Sequence, residues 1–318
     1  MNIEQQSEIY IANLENRKRD PATGNTLQAY RSYLKNHIIP HLGQMDLSEI
    51  KNGAMKKFVE KLAAKQLSPA SIAGVVNCVK GVIKSAVNEN GDYLHPVQWN
   101  NSFIDSPPVN PRDQEGPILS REALEAALAR TSGQFRTLCV LLGASGLRIS
   151  EALSVKRGAV VLDDSKPGPT LWDPDKAVIS VKAQIYKGLE QSPKTDAGIR
   201  QIDLCESANY YLLNFVSSEK RKDGEYLFQS KNGRPLSLPT VYGWSKKINL
   251  PGYHSFRRFR ITHLRSQLIQ EDLIKFWAGH SSNSSITDRY SKLAQNIDLR
   301  KEAVQKAGLG FDLPKEVQ

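Results

Sequence analysis

The stretch GASGLRISEAL, Gly143 to Leu153, places a glycine-leucine turn, an arginine and a carboxylate in immediate succession. Upstream, Leu138 to Leu142 reads as an apolar helix. Arg148 then falls between the turn at Gly146-Leu147 and a new helix start that carries Ser150 and Glu151. Two readings are open. Arg148 is an exposed side chain paired with Glu151, or it is a guanidinium oriented by that carboxylate and aimed at a phosphate in bidentate geometry.

Three further polar patches lie downstream. SPKTDAGIRQIDL, Ser192 to Leu204, carries Lys194 in a turn-rich connector ahead of a strand, with Lys182 and Lys187 as nearby competitors. YHSFRRFRITHL, Tyr253 to Leu264, sets His254 and Arg257 three residues apart, so they share a face if the segment is helical. Arg258 and Arg260 flank them. WAGHSSNSSITDRYSKL, Trp277 to Leu293, is too polar for a core and holds His280 and Tyr290. A metal at His254 and His263 is not expected, because their spacing does not put both on one helical face and no H-E-x-x-H pattern occurs. Two arginines, a lysine, two histidines and a tyrosine suit phosphoryl transfer without a metal or other cofactor. Arginines neutralise non-bridging oxygens, a lysine protonates a leaving alkoxide, and a tyrosine attacks phosphorus. The same chemistry also suits a phosphate pocket without turnover.

The rest of the chain supplies the frame. Ala177 to Tyr186 and Ile199 to Leu204 alternate apolar and polar residues, as half-buried strands do. Asp105 to Pro117 is rich in proline and polar groups and reads as a linker. Ahead of it the chain reads as helices. One spans Asn25 to Ile39 and is stopped by Pro40 and Gly43. A second spans Ala54 to Ala64. A third is capped at Ser68, with Pro69 at its first position and Lys80 and Lys84 on its polar face. Those two lysines suit DNA phosphate contacts. The expected architecture is mainly α with a small β-sheet: an all-helical domain over 1–104, a linker over 105–117, and a mixed α+β domain over 118–318.

Composition bounds the function. The chain has 318 residues and a formal net charge of +10, which favours a polyanionic partner, nucleic acid first. Cys78, Cys139 and Cys205 lie far apart in apolar stretches and read as core residues, not as zinc ligands or disulfide partners. The polar start MNIEQQSEIY is no signal peptide, and no apolar run reaches membrane-span length. A cytoplasmic protein without membrane attachment is expected.

The order G-L-R-x-x-E-x-L, K-T ahead of a strand, H-x-x-R, G-H and then tyrosine resembles the tyrosine recombinase/integrase family over residues 118–310. The helical region resembles the family's core-binding domain, with Thr26, Tyr30 and the HLG of His41 to Gly43. The resemblance implies that Arg148 and Arg257 clamp the scissile phosphate and that Lys194 is the general acid. It implies that His254 takes the proton of Tyr290 and that His280 bonds a non-bridging oxygen. Tyr290 forms the 3′-phosphotyrosyl link, Glu151 orients the Arg148 region, and Arg258 is a flanking DNA contact. The His280–Tyr290 separation is slightly longer than the family's usual spacing. Ahead of Asn25 there is one helix and the basic NRKRD patch, which implies a two-domain layout like that of Xer-type recombinases. Also implied are double-stranded DNA gripped between the two domains, a homotetramer on DNA, accessory DNA-bending proteins, and a C-terminal segment that docks on a neighbouring subunit. A type IB topoisomerase or telomere resolvase, and a non-catalytic DNA-binding relative, are the alternatives.

Overall fold

The computed structural model describes residues 1–19, 22–110, 116–160, 168–193, 196–279 and 295–314. Lys194, His280 and Tyr290 lie outside the described residues. The chain divides into two compact units, Met1–Glu115 and Gly116–Gln318.

The first unit is helical. Helix α1 (Ile3–Asn16) starts in a capping box: Asn2 accepts from the Gln5 amide, and the Gln5 side chain accepts from the Asn2 amide. Helix α2 (Gly24–Tyr33) passes through a π-turn at Leu34–Ile38 into α3 (Ile39–Leu42). This corrects the expected stop at Pro40. Proline lacks an N–H, and its ring clashes with the carbonyl four residues back in an α-helix. The ladder widens just before it, with the Ile39 amide bonded to Leu34, five residues back. Helices α4 (Asn52–Ala64), α5 (Pro69–Lys84) and the short α6 (Asn101–Ile104) complete the unit. As the apolar spacing predicts, Val75, Val76, Val79, Val82 and Ile83 of α5 are buried, and the Ser68 hydroxyl caps it by accepting from the Ser71 amide. Gly74 and Gly81 let tyrosine rings lie on the α5 backbone: a Cβ there would stand 2.8 Å from the Tyr33 hydroxyl and 2.6 Å from that of Tyr10.

The second unit begins with α7 (Arg121–Ala129) and α8 (Gly133–Ser145). From Thr137 to Ser145 every residue of α8 is buried, so this helix is the unit's central rod rather than an amphipathic surface helix. A one-turn helix α9 (Ile149–Ala152) leads into a four-stranded sheet. Its strands are β1 (Lys156–Arg157), β2 (Leu171–Asp173), β3 (Val178–Val181) and β6 (Arg200–Asp203), in the order β1-β2-β3-β6. The β1–β2 pair is parallel and the others antiparallel. A separate hairpin joins β4 (Gln184–Tyr186) to β5 (Leu189–Gln191). Helices α10 (Glu206–Ser218), α11 (Leu238–Lys247), α12 (His254–Ser266), α13 (Glu271–Ala278) and α14 (Ile297–Ala307) follow. The expected composition of the fold, mainly α with small sheets and a helical region ahead of an α+β one, is the one found.

Two strand expectations change. Ala177 to Tyr186 is not one strand, because side chains take the backbone groups in its middle. The Thr170 hydroxyl accepts from the amides of Lys182 and Ala183, while Thr170 and Ser154 both donate to the Ala183 carbonyl. The chain therefore leaves the sheet and turns into the hairpin. Nor are β3 and β6 half-exposed: all their residues are buried. Ile202 enters the main core, while the polar side chains of β6 meet helices α13 and α14. Asp203 accepts from the Trp277 indole at 2.7 Å and pairs with Arg300 at 3.0 Å, and Gln201 accepts from Arg300 at 2.9 Å.

The C-terminal segment docks on its own chain. Val304 and Ala307 join a small core with Leu264, Leu273 and Trp277, and Leu309 and Phe311 enter the main core. The Gly308 and Ala307 carbonyls bond Arg260 (2.6 Å) and His263 (2.8 Å), and Asp312 pairs with Arg121 at 3.1 Å. Up to Pro314, this segment packs within its own unit. The three cysteines are free and buried, as their apolar surroundings predict. Among the described residues, no helix is long and apolar enough to cross a membrane.

Candidate active site

Helix α8 ends at Gly146, whose φ of +68° is the left-handed conformation that glycine adopts without a Cβ penalty. The reversed chain brings Arg148 to the N-cap of α9. Glu151 reaches back from the first turn: one carboxylate oxygen accepts from the Arg148 amide at 2.8 Å, the other from Arg148 Nη1 at 2.9 Å. Glu151 is 3% exposed, whereas the Arg148 side chain keeps 41% of its surface. The pairing with Glu151 that both sequence readings of Arg148 share is present, on a side chain that keeps part of its surface open.

Arg200 approaches the other side of the carboxylate. Its Nη1 and Nη2 donate to the two Glu151 oxygens at 3.2 and 3.0 Å, in the fork geometry that matches guanidinium to carboxylate. Burial by itself would push the Glu151 carboxyl up. The Arg200 charge and hydrogen bonds, the Arg148 amide and the Arg148 charge outweigh it and hold the group below its ordinary value.

Arg257, on the first turn of α12, is 2% exposed. Its Nη1 donates to the Gly146 carbonyl at 3.1 Å and its Nη2 to the Ala278 carbonyl. It thereby joins the turn before Arg148 to the end of α13. Burial lowers its pKa to about 10, and the charges of Arg148 and Arg200 add to the effect. His254, one turn earlier, is exposed at the start of α12. Partial burial, then Arg257, Arg258 and Arg148, lower its pKa, so the ring is neutral at pH 7 and free to accept a proton. Among the described residues, two guanidinium groups pair with one carboxylate and a third, Arg257, lies near enough to feel its charge, leaving an excess of two positive charges. Such a group attracts an anion with a phosphodiester's charge.

The other expected residues are distributed as follows. Arg258 is half-buried, its Nη2 donating to the Pro117 carbonyl at 3.3 Å. Lys80 and Lys84 lie in the first unit beside an open cleft of about 340 Å³. Lys80 donates to Asn101 at 2.8 Å and lies over Trp99; Lys84 is exposed and lies over Tyr93. Lys194, His280 and Tyr290 fall outside the described residues, but the chain on their described flanks is anchored. Arg200 bonds the Gly198 carbonyl at 3.0 Å and the Trp277 carbonyl at 2.7 Å. Tyr253, the tyrosine next to His254, is 2% exposed and donates its hydroxyl to the Val241 carbonyl at 2.5 Å. Burial raises its pKa, which removes it as a candidate nucleophile. Among the described residues, no group of His, Cys, Asp or Glu is placed to hold a metal ion.

The residue that sequence reasoning missed is Arg200. Its signal is faint: a basic residue inside a short strand whose neighbours are buried.

Residues 3–63 match the family described as the phage integrase N-terminal SAM-like domain. No curated protein matches the chain in sequence. Among solved structures, the Tn1549 transposon integrase in complex with transposon right end DNA is similar with a TM-score of 0.67. It is 18% identical, over 93% of this chain and 99% of that one. A lambda integrase dimer bound to a core site gives a TM-score of 0.62 at 17% identity, over 100% of both chains. A lambda integrase tetramer bound to a Holliday junction also gives 0.62, at 15% identity, over 92% of this chain and 78% of that one. At these identities the likeness is one of fold.

Proposed function

We propose that the chain is a site-specific DNA recombinase of the integrase type. It cuts and rejoins DNA through a 3′-phosphotyrosine, without ATP or a metal. The observation that carries this reading is the Arg148–Glu151–Arg200–Arg257 cluster, with its excess positive charge and one guanidinium facing outward. The match of residues 3–63 and the shared integrase fold support it.

The Tyr290 oxygen attacks phosphorus while Arg148 and Arg257 neutralise the non-bridging oxygens. Each Arg257 Nη keeps a second hydrogen beyond those given to Gly146 and Ala278. His254 takes the tyrosine proton, His280 bonds a non-bridging oxygen, and Lys194 protonates the departing 5′-oxygen. The P–O5′ bond breaks as the phosphotyrosyl bond forms, so the ester energy is retained. A 5′-hydroxyl from the partner strand then reverses the step. Lys80, Lys84 and Arg258 supply backbone contacts. The acting species is a homotetramer on double-stranded DNA, assisted by DNA-bending proteins. A prokaryotic cytoplasm or a mobile element within it is the expected setting.

The test is a suicide duplex nicked beside the scissile phosphate, selected from DNA flanking the gene. A covalent adduct that forms with the wild type and is lost in Tyr290→Phe supports the reading. Tight binding with no adduct in either protein sinks it.

A further inference from the structure

The geometry points to Arg200 as a positioning residue that holds the Glu151–Arg148 pair and the end of helix α13 in one arrangement. This rests on the phosphodiester reading above.

The guanidinium donors of Arg200 are committed to protein acceptors. Its side chain is 1% exposed. Nε donates to the Trp277 carbonyl, Nη1 to Glu151 and Gly198, and Nη2 to Glu151. Four of the five guanidinium hydrogens are accounted for. Arg148 is the opposite case: its side chain is 41% exposed, and among the described residues its guanidinium is paired with one carboxylate oxygen. Two arginines on one carboxylate therefore divide the work by burial: one is spent on protein, the other points at solvent.

The consequence is electrostatic. Glu151 is a buried carboxylate that stays ionised because Arg200 offsets its burial. Among the described residues, the charged groups facing it are Arg148 and Arg200, with Arg257 beyond them. Without Arg200 the burial cost is offset by Arg148 alone, and the carboxyl's pKa rises. A neutral acid is a weaker acceptor for the Arg148 guanidinium, and the anion clamp loosens. On the opposite flank, the Trp277 carbonyl loses its donor two residues before Gly279. A Cβ at Gly279 would stand 3.0 Å from Arg200 Cδ, so the chain there is packed on the same side chain.

The test uses Arg200→Met and Arg200→Lys in the full chain, with two readouts. The first is the single-turnover rate of adduct formation on the suicide duplex, as a ratio to wild type. For Arg200→Met it should be down on the order of 10²-fold near pH 7. The ratio should fall further as pH drops through a window above the ordinary carboxylate range, as the buried carboxyl protonates. Arg200→Lys, which keeps the charge, should give a ratio flat in pH. Duplex affinity should change less than about threefold, because no phosphate contact is lost. The second readout needs no catalysis: the Arg148 side-chain resonance in 15N-arginine-labelled protein, assigned with Arg148→Lys. In Arg200→Met it should shift with pH over the same window, and in wild type it should not. A pH-independent ratio with a pH-independent Arg148 resonance would overturn the proposal. If Arg200→Met does not fold, a cycle of Arg200→Lys with Glu151→Gln decides. Coupled rate effects support the proposal, and independent ones overturn it. If wild type forms no adduct, the phosphotyrosine reading fails, and the resonance alone decides whether Arg200 positions Arg148.

Discussion

Arg257 donates to the carbonyl of Gly146 at 3.1 Å across 111 residues of sequence. That bond, with the one from the same guanidinium to Ala278, makes the turn before Arg148 and the end of α13 neighbours through a single side chain. A lysine has no planar fork and reaches only one of the two carbonyls. Arg257→Lys is therefore expected to lower adduct formation by on the order of 10²-fold or more. Rates of adduct formation against duplex affinity check this. A loss confined to affinity would mean that Arg257 serves binding alone.

The lowered pKa of His254 sets a pH window. For a base whose folded value is depressed, the folded protein takes the proton only below the ordinary value of 6.5. His254 is then neutral through pH 7 and able to accept the tyrosine proton. Adduct formation should hold steady down through pH 6.5 and decline only below it, while His254→Gln should flatten that acid limb. A decline already complete at pH 7 would argue against a neutral His254.

Glu151 makes the opposite prediction for stability. Its folded pKa lies below the ordinary 4.5, so it stabilises the fold above that value, and the contribution is lost as pH falls through the folded value. Acid melting of the wild type should steepen below about pH 4.5, and Glu151→Gln should lack that limb. Glu151→Gln at pH 7 should cost about 3–5 kcal/mol, because Arg200 is left buried without its counter-charge. Thermal melts across pH measure both effects.

Two tyrosines separate fold from chemistry. Tyr253 is buried with its hydroxyl on the Val241 carbonyl. Tyr253→Phe should lower stability by about 1 kcal/mol and leave the adduct intact. Tyr290→Phe should leave the melting temperature unchanged and abolish the adduct. Adduct retained in Tyr290→Phe would move the nucleophile elsewhere.

The C-terminal segment is expected to act on stability. Phe311 is 5% exposed and packs on Gly143, where a Cβ would stand 2.9 Å from its ring. Phe311→Ala should cost about 3–5 kcal/mol, and truncation after Leu299 should destabilise the second unit before any effect on assembly. A truncated protein that melts like the full chain would restore a free arm.

The local parts of this protein are legible in its sequence. The Arg148–Glu151 cap closes over three residues, and the i,i+3 spacing puts His254 and Arg257 on one face. Ser68-Pro69 opens α5, and the apolar stripe of α5 names its own core. Each depends on neighbours within one helical turn, which is the range over which backbone geometry alone fixes who meets whom. The order of these motifs is enough to suggest an integrase-like fold.

The rest was decided by tertiary structure. Arg200 meets partners 49 and 77 residues away, and the bend at Ala183 is made by Thr170, 13 residues back across the sheet. Strands β3 and β6 alternate like half-exposed strands, yet both are buried, and in β6 polar partners on α13 and α14 cover the second face. The C-terminal helix carries a modest apolar stripe, and only its neighbours show that it packs on its own chain. Whether a charged side chain is an exposed clamp or a buried anchor depends on which distant donors and acceptors reach it first. Chain order does not encode that choice locally; packing makes it.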